Sequence, residues 1–152
     1  MTLELKIPPP VVAVLSAVVM YGIGRLAPAA ELGIPVRTPI VMLLVAVALC
    51  ILLLSLLSFR RHATTTNPMA PSGASSLVRS GVYRFTRNPM YLGMLLALTA
   101  WAVWLSNWLG FFVLAAFVAY ITRYQILPEE RALAAKFGSA FNEYASRVRR
   151  WI

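Results

Sequence analysis

Four apolar runs, Val11 to Leu26, Pro39 to Phe59, Met90 to Leu105 and Leu109 to Leu127, leave this chain few ways to fold. At about 1.5 Å of rise per helical residue, each is long enough to cross, or nearly cross, a hydrocarbon core of roughly 30 Å. They predict an all-α polytopic membrane protein with four transmembrane helices, over about 11–26, 39–59, 89–105 and 109–127. Composition agrees: 60% of the 152 residues are hydrophobic and 12% are charged, which excludes an ordinary soluble domain.

In a soluble chain a net charge of +9 would suggest nucleic acid, but here its distribution matters more. Five arginines (Arg60, Arg61, Arg79, Arg84, Arg87) fall between the second and third runs, and six basic residues (Arg123, Arg131, Lys136, Arg147, Arg149, Arg150) fall at or after the end of the fourth. The positive-inside bias puts the 60–88 loop and the C-terminus in the cytoplasm, and with four spans the N-terminus, carrying Lys6, joins them. The opposite-side loops hold Glu31 and Arg37 in the first and no charge in the second. Membrane lipids, and no nucleic acid, are the expected surroundings.

The first run has small residues after it, in "LAPAA", yet "MTLELKIPPP" is a poor basic leader, so a span is expected and not a signal peptide. Cys50 is the only cysteine and lies inside an apolar run, which excludes a disulfide framework and a thiolate metal site. His62 is the only histidine and there is no Asp, so neither a metal constellation nor a Ser-His-Asp triad is available. "YGIGR" lies inside a span and is not a phosphate loop.

Residues 60–88 lack a clear helical pattern, and their middle, "TTTNPMAPSGASS", reads either as a flexible linker or as part of a functional loop. Trp101, Trp104 and Trp108 surround the turn between the third and fourth runs and are expected to form an interfacial belt. At Pro128 a new helix is expected, running to about 150. Its apolar stripe is Leu133, Phe137, Phe141, Tyr144 and Val148, with Gly138 a possible bend. Such a basic amphipathic helix either lies on the membrane surface or folds back as the wall of a site, and periodicity does not separate the two.

Two clusters carry chemistry-grade residues. In "RNPMYLG", Asn88 is a good N-cap and Pro89 suits the first helical position, so the third span starts there, with unpaired N–H groups that can hold an anion beside Arg84 and Arg87. An ordinary cap with snorkelling arginines is the plainer alternative. In "LPEERALAAKFG", Glu129 and Glu130 are two of only five acids. They serve the helix dipole, pair with Arg123 and Arg131, or accept hydrogen bonds from a ligand's diol or amino group.

In order and spacing, "TTTNP", "LVRSGVYRFTRNPMYLG", a two-helix hairpin and "EERALAAKFGSAFNEYASRVRRWI" resemble the isoprenylcysteine carboxyl methyltransferase family and its bacterial relatives, themselves similar to the phospholipid methyltransferases. The resemblance covers about residues 60–152; the first two spans carry little of it. It implies one integral membrane methyltransferase domain over 1–152 that binds S-adenosylmethionine on the cytoplasmic side, with a lipid-like or amphiphilic acceptor entering from the bilayer. Arg87, Asn88, Pro89, Tyr91 and Gly93 fall on the family's R-[HN]-P-x-Y-x-G element, and Glu129 and Glu130 on its paired acids. With Tyr83 and Tyr144 these are the implied cofactor-binding residues, and Arg123 and Arg147 the implied catalytic ones. Asn88 stands where many members have His, so no imidazole base is implied there. A sterol-reductase-like NADPH enzyme and a non-enzymatic membrane adaptor are the rival expectations.

Overall fold

Prolines set where the helices begin. A computed structural model of the chain describes residues 4–26, 33–62 and 73–152, and every regular element among them is helical. The "TTTNP" segment and the residues of "LAPAA" after Leu26 lie outside the described residues. α1 (Pro9–Leu26) opens on a proline, α2 (Ile34–Arg61) has one in its first turn, and α3 (Pro89–Leu105) starts at Pro89. In each case proline gives up an N–H that the first turn would leave unpaired, and its fixed φ suits the helix. α4 (Gly110–Ile121) follows a turn in which Ser106 adopts a left-handed φ of 51° and the Asn107 side chain accepts the Leu109 N–H at 3.0 Å.

The helix start expected at Pro128 does not occur. α4 passes through a π-helical turn, Thr122–Ile126, straight into α5 (Leu127–Phe137), making one rod of 28 residues. A proline at 128 removes the amide that would bond the Tyr124 carbonyl in an α-helix, and its ring crowds that carbonyl. The wider turn, closed by the Leu127 N–H donating to the Thr122 carbonyl, relieves the crowding. The stranded Tyr124 carbonyl accepts the Leu5 N–H at 3.0 Å.

The single helix expected over 128–150 is also corrected. Gly138, with φ 53° and ψ −124°, separates α5 from α6 (Ser139–Arg147), and the chain is extended at Val148. Such a backbone is open to glycine and strained for other residues. The apolar stripe survives the break, with Phe141 and Tyr144 buried and Leu133, Phe137 and Val148 half-buried.

Among the described residues three helices are long and apolar enough to cross a membrane: Pro9–Leu26, Ile34–Arg61 and Gly110–Phe137. α3 is apolar but has 17 residues, about 25 Å of helix. It is the central element, packed against α1, α2 and α4. Gly93 permits the α2 contact, because a Cβ there would lie 2.7 Å from Leu52 Cγ. Met20, Leu98, Ala102, Leu114 and Phe117 fill the space between α1, α3 and α4. Outside that core α1, α2 and α4 expose Leu15, Val19, Met42, Leu43 and Phe112, the lipid-facing surface of an integral membrane protein. Of the three hairpin tryptophans, Trp104 and Trp108 are exposed as a belt requires. Trp101 instead turns inward and donates to the Ala17 carbonyl at 3.1 Å.

Candidate functional site

The approach to α3 is built on Gly81, whose φ of 61° opens a 3-10 turn, Gly81–Arg84. The turn sets Tyr83 edge-on against Phe59 of α2, with ring centroids 5.5 Å apart. Tyr144 of α6 then donates its hydroxyl to the Tyr83 carbonyl at 2.7 Å, tying the C-terminal helix to this loop. Burial pushes the Tyr144 hydroxyl up to about 12 and raises that of Tyr83 further above its ordinary value. Both phenols are therefore neutral at physiological pH.

Arg87 is the hub. Its guanidinium donates to the carbonyls of Ala145 at 2.6 Å and Val148 at 2.9 Å, and to Glu130 Oε1 at 2.7 Å. Glu130 also takes a forked pair of bonds from Arg150, 2.9 Å from Nε and 2.7 Å from a terminal nitrogen. The hydrogen bond to Glu130 raises the Arg150 pKa above its ordinary value. The last residues bridge the segment before α3 and the π-helical turn: the Arg87 N–H donates to the Arg149 carbonyl at 3.0 Å, and the Trp151 indole to the Thr122 hydroxyl at 3.1 Å.

Asn88 occupies the cap position, but its side chain makes no capping bond. It donates to the Arg150 carbonyl at 2.9 Å, which also accepts the Thr86 hydroxyl at 3.3 Å. The C-terminal tail thus takes the donor side of this amide. Pro89 is buried at the start of α3. One turn in, the Tyr91 hydroxyl donates to Glu129. Gly93 faces the other way, onto α2.

So Tyr83, Arg87, Asn88, Tyr91, Glu129, Glu130 and Tyr144 converge at one end of the helix bundle. Arg123 and Arg147 do not. Arg123 pairs with Glu4 at 3.0 Å, as does Arg131 at 2.6 Å, so neither arginine meets the paired acids. Arg147 pairs with Glu143 one helical turn away and is exposed. Arg150 and Thr86 are the members that the sequence did not single out. "RVRRWI" holds three arginines of equal standing, and only the tail's path chooses among them.

Chemically the cluster offers one carboxylate saturated by two guanidinium groups and a second, Glu129, held by a phenol. The Arg87 Nε is buried without a partner among the described residues. This set suits a zwitterionic ligand, with anionic groups on the arginines and hydroxyl or ammonium groups on Glu129. Among the described residues no group of three His, Cys, Asp or Glu side chains is placed to hold a metal.

A family model described as phospholipid methyltransferase matches residues 36–140. That stretch holds both acids and the whole of "TRNPMYLG", while Tyr144 and Arg150 lie beyond it. A protein of Haemophilus influenzae, described as uncharacterized, is 43% identical over 63 residues, which are 41% of this chain and all of that protein. No solved structure matches.

Proposed function

The chain belongs to the phospholipid methyltransferase family, and from that premise we propose that it is an S-adenosylmethionine-dependent enzyme methylating a lipid-like or amphiphilic acceptor at the membrane. The supporting observation is the meeting of two stretches distant in sequence: Arg87, just before α3, touches Glu130, 43 residues on, and Tyr91 in its first turn touches Glu129, 38 residues on, both at the start of α5. We place four crossings and one domain over the chain, with both termini and this cluster on the cytoplasmic side, from the charge distribution.

The donor set suits this cofactor. Arg87 and Arg150 would hold its carboxylate, Glu129 its ribose hydroxyls or ammonium, and Tyr91 would flank the sulfonium or adenine. Bound there, S-adenosylmethionine supplies an electrophilic methyl group. What remains for the chain is to orient the partners and keep water out. The buried phenols of Tyr83 and Tyr144 and the tail over Asn88 serve the second need. A carboxylate acceptor needs no base, whereas a thiol or an amine head group must first lose a proton.

Calorimetry with S-adenosylhomocysteine on the detergent-purified protein tests this. The parent is expected to bind it and not NADPH. Glu129→Gln, which keeps the shape and the Tyr91 contact, is expected to bind about ten- to a hundredfold more weakly, the loss of one charged hydrogen bond, with unchanged circular dichroism. Equal affinity in the variant would make the cluster structural. NADPH binding would make the protein a reductase, and binding of neither an adaptor.

A further inference from the structure

On the outer side of α1 and α4, away from the acid and arginine cluster, lies an apolar groove of about 580 Å³ lined by Val12, Leu15, Val19, Phe112, Ala116 and Tyr120. Leu15, Val19 and Phe112 are exposed, so it opens sideways where the bilayer lies. Along α1 it runs from Val12 to Ile23, about 16 Å at the helical rise, or half of a hydrocarbon core of roughly 30 Å. A groove one leaflet long fits a single acyl chain.

Its two ends differ. Leu109 and Phe112, beside the short α3–α4 turn, close one end with apolar side chains. At the other, α1 is preceded by Glu4 and Lys6, and the continuous rod of α4 and α5 runs on past Tyr120 to Arg123 and Arg131. Glu4 takes one bond from each arginine, and the two arginine side chains remain 58% and 59% exposed. Two guanidinium groups face one carboxylate, with exposed Lys6 adjacent, so this end is cationic and has N–H donors to spare. The Tyr120 hydroxyl, at the same end, is buried without a partner among the described residues.

We propose that the groove and its basic end form a site for one anionic phospholipid, with an acyl chain between α1 and α4 and the headgroup phosphate on Arg123 and Arg131. Charge complementarity selects an anionic headgroup over a zwitterionic one, and the leaflet-length apolar wall selects a lipid over free phosphate. The site shares no side chain with the methyl-transfer cluster and stands whether or not that function holds. It also gives Arg123, which lies away from the acids, a ligand of its own.

The test uses the full chain in nanodiscs of phosphatidylcholine with a minor fraction of phosphatidylglycerol, extracted in mild detergent, with retained lipid counted by native mass spectrometry. Phosphatidylglycerol is expected to be retained at least about tenfold over its share, the worth of one charged hydrogen bond. Arg123→Gln with Arg131→Gln should erase that preference. Ala116→Trp should expel the lipid, and Arg147→Gln, distant from the groove, should change nothing. Glu4→Gln removes the competing carboxylate and should strengthen retention, an outcome that a merely structural role for the arginines would not produce. No preference in the parent, preference surviving the double arginine variant, weakened retention in Glu4→Gln, or displacement by millimolar inorganic phosphate would each overturn the proposal. If Ala116→Trp fails to fold, the Glu4 and arginine variants decide alone.

Discussion

Two glutamates in this protein each sit between two arginines, and they differ in nearly everything else. Glu130 is 16% exposed and faces Arg87, 11% exposed, and the forked Arg150; Glu4 is 25% exposed and faces two arginines that are more than half exposed. Around Glu130 the charges are largely taken from water, and Arg87 directs one terminal nitrogen to the Ala145 and Val148 carbonyls while its Nε is left without a partner among the described residues. Around Glu4 water still solvates each partner, and the pairs are individually weak. One glutamate is therefore locked into the contacts that hold the C-terminal tail, while the other lightly holds an N-terminal strap whose arginines stay exposed.

Removing each carboxylate tests that difference most severely. Glu130→Gln strands two guanidinium groups in a largely buried site and is expected to cost about 3 kcal/mol or more of stability, read by thermal unfolding in detergent. A drop below about 1 kcal/mol would put the Glu130 site in the same class as the Glu4 site. Arg150→Ala removes the forked pair but leaves Arg87 on Glu130. Because Arg150 is 38% exposed, the expected loss is about 1 to 2 kcal/mol. Glu4→Gln is expected to shift the unfolding midpoint least.

Salt sharpens the contrast. At about 1 M, where the screening length is about 3 Å, the effect of Glu4→Gln should disappear and that of Glu130→Gln should persist. Acid titration gives the smallest effect. The Arg131 hydrogen bond, with Arg123, holds the Glu4 carboxyl below the usual carboxylate range against a smaller opposing contribution from burial. A depressed folded value means the strap's contribution is complete above the unfolded carboxylate pKa and is lost as pH falls through the folded one. Protection of the Leu5 amide from hydrogen exchange, corrected for the intrinsic pH dependence, should therefore decline only below about pH 4. Protection unchanged through that range would show that the Tyr124 carbonyl alone holds the strap.

Much was legible before any coordinates. The apolar runs found the apolar helices, three of which among the described residues are long enough to span a membrane, Pro89 marked the start of α3 to the residue, and the tight turn at Ser106 and Asn107 required the beginning of α3 and the region of Pro128 to meet at one end. These features are local, or follow from two antiparallel rods of similar length. The same local rules misjudged Pro128, because the signal that ends a helix was answered by a π turn and by Leu5, more than a hundred residues earlier in the chain. At Asn88 they found the cap position but not the partner of its side chain, which donates to the Arg150 carbonyl.

By itself the sequence determined that this chain is a bundle of apolar, membrane-type helices with most of its charge gathered at one end, because hydropathy and proline act on neighbouring residues. Which arginine meets which glutamate was decided only by the tertiary structure. Fourteen lysines and arginines compete for five acids, and every one of them carries the same charge. Choice among them comes from the break at Gly138, which carries the tail back over α3, and from the strap that brings Glu4 to Arg123 and Arg131. Charge sets how many pairs can form, but the path of the backbone sets which ones are buried enough to matter.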